Sequence, residues 1–152
     1  MSENILEYKN ANVVEAFCKR YSVEESDAND IFEQMLKWFV FCTDKKSSGF
    51  RNIDDSTLII DEMWHTFILF TVDYSDFCRK YVGYYLHHQP STNAELVGQR
   101  KRTLEEVRTK KKTQYELVYD ILGKETFIKW YHEYPERYSL DKISKLSKNP
   151  FE

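Results

Sequence analysis

Four residues near the middle of the chain have the chemistry to hold a metal ion or move a proton: Asp61, His65, His87 and His88. Asp61 and His65 are four apart, a spacing that puts two side chains on one face of a helix. A carboxylate oxygen with imidazole nitrogens is a donor set for zinc or non-haem iron. The set closes only if the segment carrying His87 and His88 folds back over that face. The structural alternative has Asp61 accepting a hydrogen bond from His65 while the histidine pair satisfies loop carbonyls. On spacing alone the structural alternative is favoured, because metal sites commonly show three or four ligands in a tighter pattern. No cofactor is therefore expected unless these four residues bind zinc or iron. No H-E-x-x-H, G-x-S-x-G or glycine-rich phosphate loop is present, and no catalytic residue is assigned. Cys78 as a nucleophile is set aside, since it falls on an apolar helix face where burial suppresses thiolate formation.

A second feature is a basic run, Arg100, Lys101, Arg102, Arg108, Lys110, Lys111 and Lys112, with Glu105 and Glu106 as its acidic residues, in a chain of formal charge −3. Such asymmetry steers an anionic partner. The run has no interleaved aromatics and follows no nucleic-acid motif, which argues against nucleic acid and for an acidic protein partner.

The elements that must position these residues centre on 59–90. Ile59, Ile60, Met63, Trp64, Phe67 and Ile68 share one arc at 100° per residue, with Asp61, Glu62 and His65 on the other, so the spacing predicts an amphipathic helix. Thr71 is the expected N-cap of a second helix carrying Tyr74, Phe77, Cys78, Tyr81 and Val82, ended by Gly83. Residues 84–90 read as a loop, since Pro90 disfavours helix just before it.

The string Asp61-Glu-Met-Trp64-His65-Thr-Phe-Ile-Leu, followed by Thr71, Tyr74, Phe77-Cys78 and His87-His88-Gln-Pro90, resembles the glycine-rich domain-containing-protein-like family. The resemblance covers about 30 residues and implies little about mechanism. Some relatives of that family carry Trp-His-x-His, whereas Phe67 stands in the second histidine's place here. The glycine-rich segment of the family name is also absent, as the chain holds 4 Gly.

Elsewhere, periodicity predicts a helix ending about Tyr21, then a longer one opened by a capping box of Ser22 and Glu25 and carrying Ile31, Phe32, Met35, Leu36, Phe39 and Val40. Residues 44–55 have turn composition. A long helix is expected over 93–122, its basic first part projecting into water and its second part docking through Tyr115, Leu117, Val118, Ile121 and Leu122. A short helix over 126–132 follows, stopped by Pro135, and 139–152 reads as a loosely attached tail.

With 152 residues and 16% aromatics, the chain is large and ring-rich enough to build a core, which excludes intrinsic disorder. Cys18, Cys42 and Cys78 are odd in number and show no C-x-x-C, which fits reduced thiols and a cytoplasmic protein. No apolar run approaches membrane-spanning length. The reading is a single all-α domain, 1–152, of five to seven helices, with a central pair over 59–82 and one long, partly projecting basic helix. Its expected role is a cytoplasmic interaction or accessory module binding an acidic protein partner. The alternatives are a metal-dependent enzyme or metal-binding protein built on the Asp/His set and, after that, nucleic-acid binding through the basic helix.

Overall fold

Apolar residues recurring every three or four positions give helices that each bury the face the pattern defines. The computed structural model describes residues 4–88, 94, 97–98 and 101–148. Among them are seven helical segments and no strand, the all-α architecture expected. They are α1 (Ala11–Arg20), α2 (Glu25–Thr43), α3 (Leu58–Leu69), α4 (Thr71–Phe77, continuing through a π-helical turn Cys78–Val82) and α5 (Leu104–Leu122). After these come α6 (Lys124–Ile128, then π-helical Lys129–Glu133 and a last turn Tyr134–Arg137) and α7 (Leu140–Leu146). Short 3-10 turns lie at Ile5–Glu7 and Lys45–Ser47.

The core forms where α2 packs along α3. Ile31, Met35, Phe39 and Phe41 of α2 are fully buried, as are Ile59, Met63 and Phe67 of α3. Phe39 makes ring contacts with Trp64, Phe67, Tyr74 and Phe77, so α2, α3 and α4 meet in one aromatic cluster. Trp64, Phe67 and Phe77 are buried in it, while Ile68 and Tyr81 are half-buried at its edge. Cys42 and Cys78 are buried free thiols and Cys18 is half-buried. On the other side of α2, Trp130 of α6 donates to Gln34 Oε1 at 2.9 Å and Tyr134 donates to Asp30 Oδ2 at 2.8 Å.

Several boundaries differ from the sequence expectation. The Ser22–Glu25 capping box does not form: α2 starts at Glu25 with no side-chain cap, and the Ser22 amide donates instead to the Leu146 carbonyl at 2.8 Å. Thr71 is the first residue of α4 rather than its N-cap. Gly83 ends that helix at φ 93°, left-handed backbone that favours glycine. The long basic helix begins at Leu104, where Thr103 and Glu106 form a reciprocal capping box, and much of the expected stretch before it lies outside the described residues. Pro135 does not stop α6. A π-helical turn precedes it, in which the Tyr134 amide donates to the Lys129 carbonyl, so the widened helix accommodates the proline ring and its missing donor. The tail past Ser139 forms α7, buries Ile143, and pairs with the end of α1 through the Tyr21–Ser147 bridge.

Candidate metal centre

Three of the four candidate ligands converge. The donor atoms of Asp61, His65 and His88 all lie within 4.8 Å of one another. His88 Nε2 is 2.5 Å from Asp61 Oδ1, and His65 Nε2 is 3.3 Å from Asp61 Oδ2. The two imidazole rings stack at 4.7 Å with 29° between planes.

The first two ligands come from one face of α3, as their spacing requires. His88 arrives because Leu86 is anchored two residues earlier. The Leu86 side chain is buried, its amide donates to Cys78 Sγ at 3.5 Å, and its carbonyl accepts from the Tyr74 hydroxyl. That hydroxyl in turn accepts from Trp64 Nε1 at 3.0 Å, which ties the segment to α3. Burial then alternates along the segment: Leu86 inside, His87 exposed, His88 half-buried. His88 packs its ring on Trp64 at 4.1 Å, whereas His87 packs on Tyr85 at 4.7 Å and stays out of the cluster.

A further layer holds His65. Its Nδ1 is 3.7 Å from Glu62 Oε2, an ion-pair distance rather than a hydrogen bond. Glu62 accepts from the Tyr21 hydroxyl at 2.5 Å and lies 3.7 Å from the Arg20 guanidinium, which links α1 to this face of α3. The Glu62 carboxylate raises the His65 pKa against the opposing effect of burial. His65 in turn holds Glu62 below the ordinary carboxylate range. Glu62, Tyr21 and Arg20 were not assigned to the site from sequence, although the i,i+3 spacing of Glu62 and His65 was a visible signal.

The cluster faces a cavity of about 1170 Å³. Other parts of its wall come from Arg51 and Asp54 of the loop before α3, and from Arg102, Lys110 and Lys111 near or on α5. The docking of α5 sets which of its residues face inward. Gln114 grips the loop twice, accepting from the Asn52 amide at 3.0 Å and donating to the Asn52 carbonyl at 2.7 Å, while Tyr115 donates to Asp54 at 3.1 Å. Lys101, Arg108 and Lys112 are exposed outside the cavity lining, and Arg100 lies outside the described residues.

Residues 3–116 match the UCP032817-like family, a stretch that includes every residue of this cluster. The chain belongs to the UCP032817-like family. No curated protein and no solved structure matches it. The family match runs from the N-terminus through α4 and into α5, so it takes in α3, the His88 segment and the lysines facing the cavity, and ends before α6.

The donor chemistry fits a divalent transition metal. An ion at about 2.0–2.2 Å from two imidazole nitrogens and one carboxylate oxygen needs donors about 3–3.5 Å apart; the three donor atoms lie within 4.8 Å of one another, and the 2.5 Å contact between His88 and Asp61 would have to lengthen to admit the ion. Two histidines and one carboxylate leave coordination positions open to water or a ligand. No helix among the described residues is long and apolar enough to cross a membrane.

Proposed function

We propose that this protein binds a divalent transition metal, zinc or iron(II), through Asp61, His65 and His88, and presents its open coordination positions to the adjoining cavity. The observation that carries the reading is the convergence of the three donor atoms within 4.8 Å on a buttressed scaffold. His65 leans on Glu62 and His88 rests on Trp64, the kind of outer support that orients metal ligands. Metal binding would displace a proton shared within the cluster, so affinity is expected to fall in acid. The test is elemental analysis of protein purified without a tag or chelator. The expected result is stoichiometric zinc or iron, lost in His65→Ala and His88→Ala but kept in His87→Ala. Absence of metal after reconstitution of the parent would overturn the reading and leave a hydrogen-bonded structural cluster.

A second reading is an accessory module that binds an acidic protein partner through Lys101, Arg102, Arg108 and Lys112. It is favoured by the exposure of these side chains and by the lack of any ion pair at Lys101, Arg102 and Arg108 among the described residues. The free thiols of Cys18, Cys42 and Cys78 suit a cytoplasmic setting for either reading. We infer a finer kinship with glycine-rich domain-containing-protein-like sequences from the likeness of 59–90 alone, and it adds no chemistry.

A further inference from the structure

The cavity wall carries Arg51, Arg102, Lys110 and Lys111 against Asp54 and Asp61, so it is cationic even before a metal adds its charge. Part of that charge is compensated: Lys111 lies 4.0 Å from Asp54. Arg51 donates to the neutral acceptors Ser47 Oγ at 2.7 Å and the Asp44 carbonyl at 2.9 Å and forms no ion pair among the described residues. Arg102 and Lys110 form no ion pair among the described residues. Three cations sharing a concave wall, without ion pairs among the described residues, call for a multivalent anion.

A second observation bears on the rest of the ligand. The remaining lining includes apolar surface from Trp64, Ile68, Leu69 and Val107, suited to an organic body rather than a bare inorganic ion.

We propose that the cavity binds a small phosphate ester, its phosphoryl oxygens shared between the metal at Asp61, His65 and His88 and the cations Arg51, Arg102 and Lys110, its organic part against the Trp64 and Val107 side. A phosphate monoester carries a charge of about −1.5 to −2 near neutral pH, which matches this wall better than a single carboxylate does. Guanidinium and ammonium donors bind such oxygens through charge-assisted hydrogen bonds, and a divalent ion takes a further oxygen at an open position. The inference rests on the metal reading for one of its two anchors.

The test titrates phenyl phosphate, with phenol as the uncharged control, into the zinc-loaded full chain by calorimetry. The parent and the Arg102→Gln/Lys110→Gln double variant are compared at matched zinc content and matched circular dichroism. The expected result is binding of phenyl phosphate but not phenol, weakened about tenfold or more in the double variant. Zinc retained with no phenyl phosphate binding, or binding that the double variant leaves unchanged, overturns the inference and leaves the metal reading standing. A chain that holds no zinc overturns the metal reading and the bridged pose together. Lys110-dependent binding in that chain would preserve the phosphate class alone.

Discussion

The two sides of the cavity are built on opposite terms. On the α3 side every polar group is engaged: Asp61 with both histidines, Glu62 with His65, Tyr21 and Arg20, and Trp64 with Tyr74. On the α5 side Arg102 and Lys110 form no ion pair among the described residues, Lys111 comes only within 4.0 Å of Asp54, and the helix is held mainly further along, by Gln114 and Tyr115. A side chain whose partners are already in place is poised for a ligand that needs fixed geometry, such as a metal ion. A set of long cationic side chains without partners suits a ligand that supplies charge and tolerates adjustment. The difference teaches that stability and ligand charge are handled by separate helices, so each can be perturbed alone.

The largest expected effect lies on the α3 side. Trp64→Ala removes a buried ring from the Phe39 cluster and the surface under His88, and should cost about 3–5 kcal/mol in a denaturant titration. A loss under about 1 kcal/mol would break the contrast by showing Trp64 to be dispensable to packing.

Next comes Tyr74→Phe, which keeps the ring but strands the Trp64 N–H and the Leu86 carbonyl. The expected cost is about 1–3 kcal/mol. Because those two bonds hold the segment that delivers His88, zinc affinity measured by competition with a chelator should also fall about 10–100-fold. A stability loss with zinc affinity intact would show that His88 is placed by its ring contacts alone.

The pH dependence sharpens the comparison by sign. The His65 pKa is raised in the folded state, so its contact with Glu62 stabilises the metal-free protein below the unfolded histidine pKa and is lost as pH rises through the folded one. The effect is small, since the His65 side chain is 42% exposed. Metal requires neutral imidazole, so the zinc-induced rise in Tm should grow over the same interval. Thermal scans from pH 6 to pH 8 should therefore show Tm drifting down without zinc and the zinc increment rising. A zinc increment independent of pH would exclude histidine ligation.

The smallest effect is expected on the α5 side. Replacing Lys110, Lys111 and Lys112 by Gln should change stability by no more than about 0.5 kcal/mol, since Lys110 has no ion pair among the described residues and those of Lys111 and Lys112 reach only 4.0 Å. A loss above about 1 kcal/mol would make these lysines structural and remove the contrast between the two sides.

Much of this arrangement was legible residue by residue. The helical class follows from runs such as Ile31, Met35 and Phe39, whose period permits one burial face whatever the partner. Asp61 and His65 were legible as a pair for the same local reason, because helical geometry alone sets an i,i+4 contact. The start of α5 is written in Thr103 and Glu106, a capping box that lies inside the longer stretch of helical composition and is masked by it.

What tertiary structure decided is everything that depends on contacts distant in the chain. Of two adjacent histidines, His88 rather than His87 joins the cluster, because Leu86 is pinned by Tyr74 and Cys78 and so sets which neighbour turns inward. Glu62 gains its role only when α1 brings up Tyr21 and Arg20. The basic run was plain in the letters, but the turn of α5 that points Lys110 and Lys111 at the cavity is set by Gln114 gripping Asn52, 62 residues away. By itself the sequence determined which face each helix buries, since that needs only the local period. Which polar groups meet across helices was decided by packing, since one anchored side chain fixes the rotation of a whole segment.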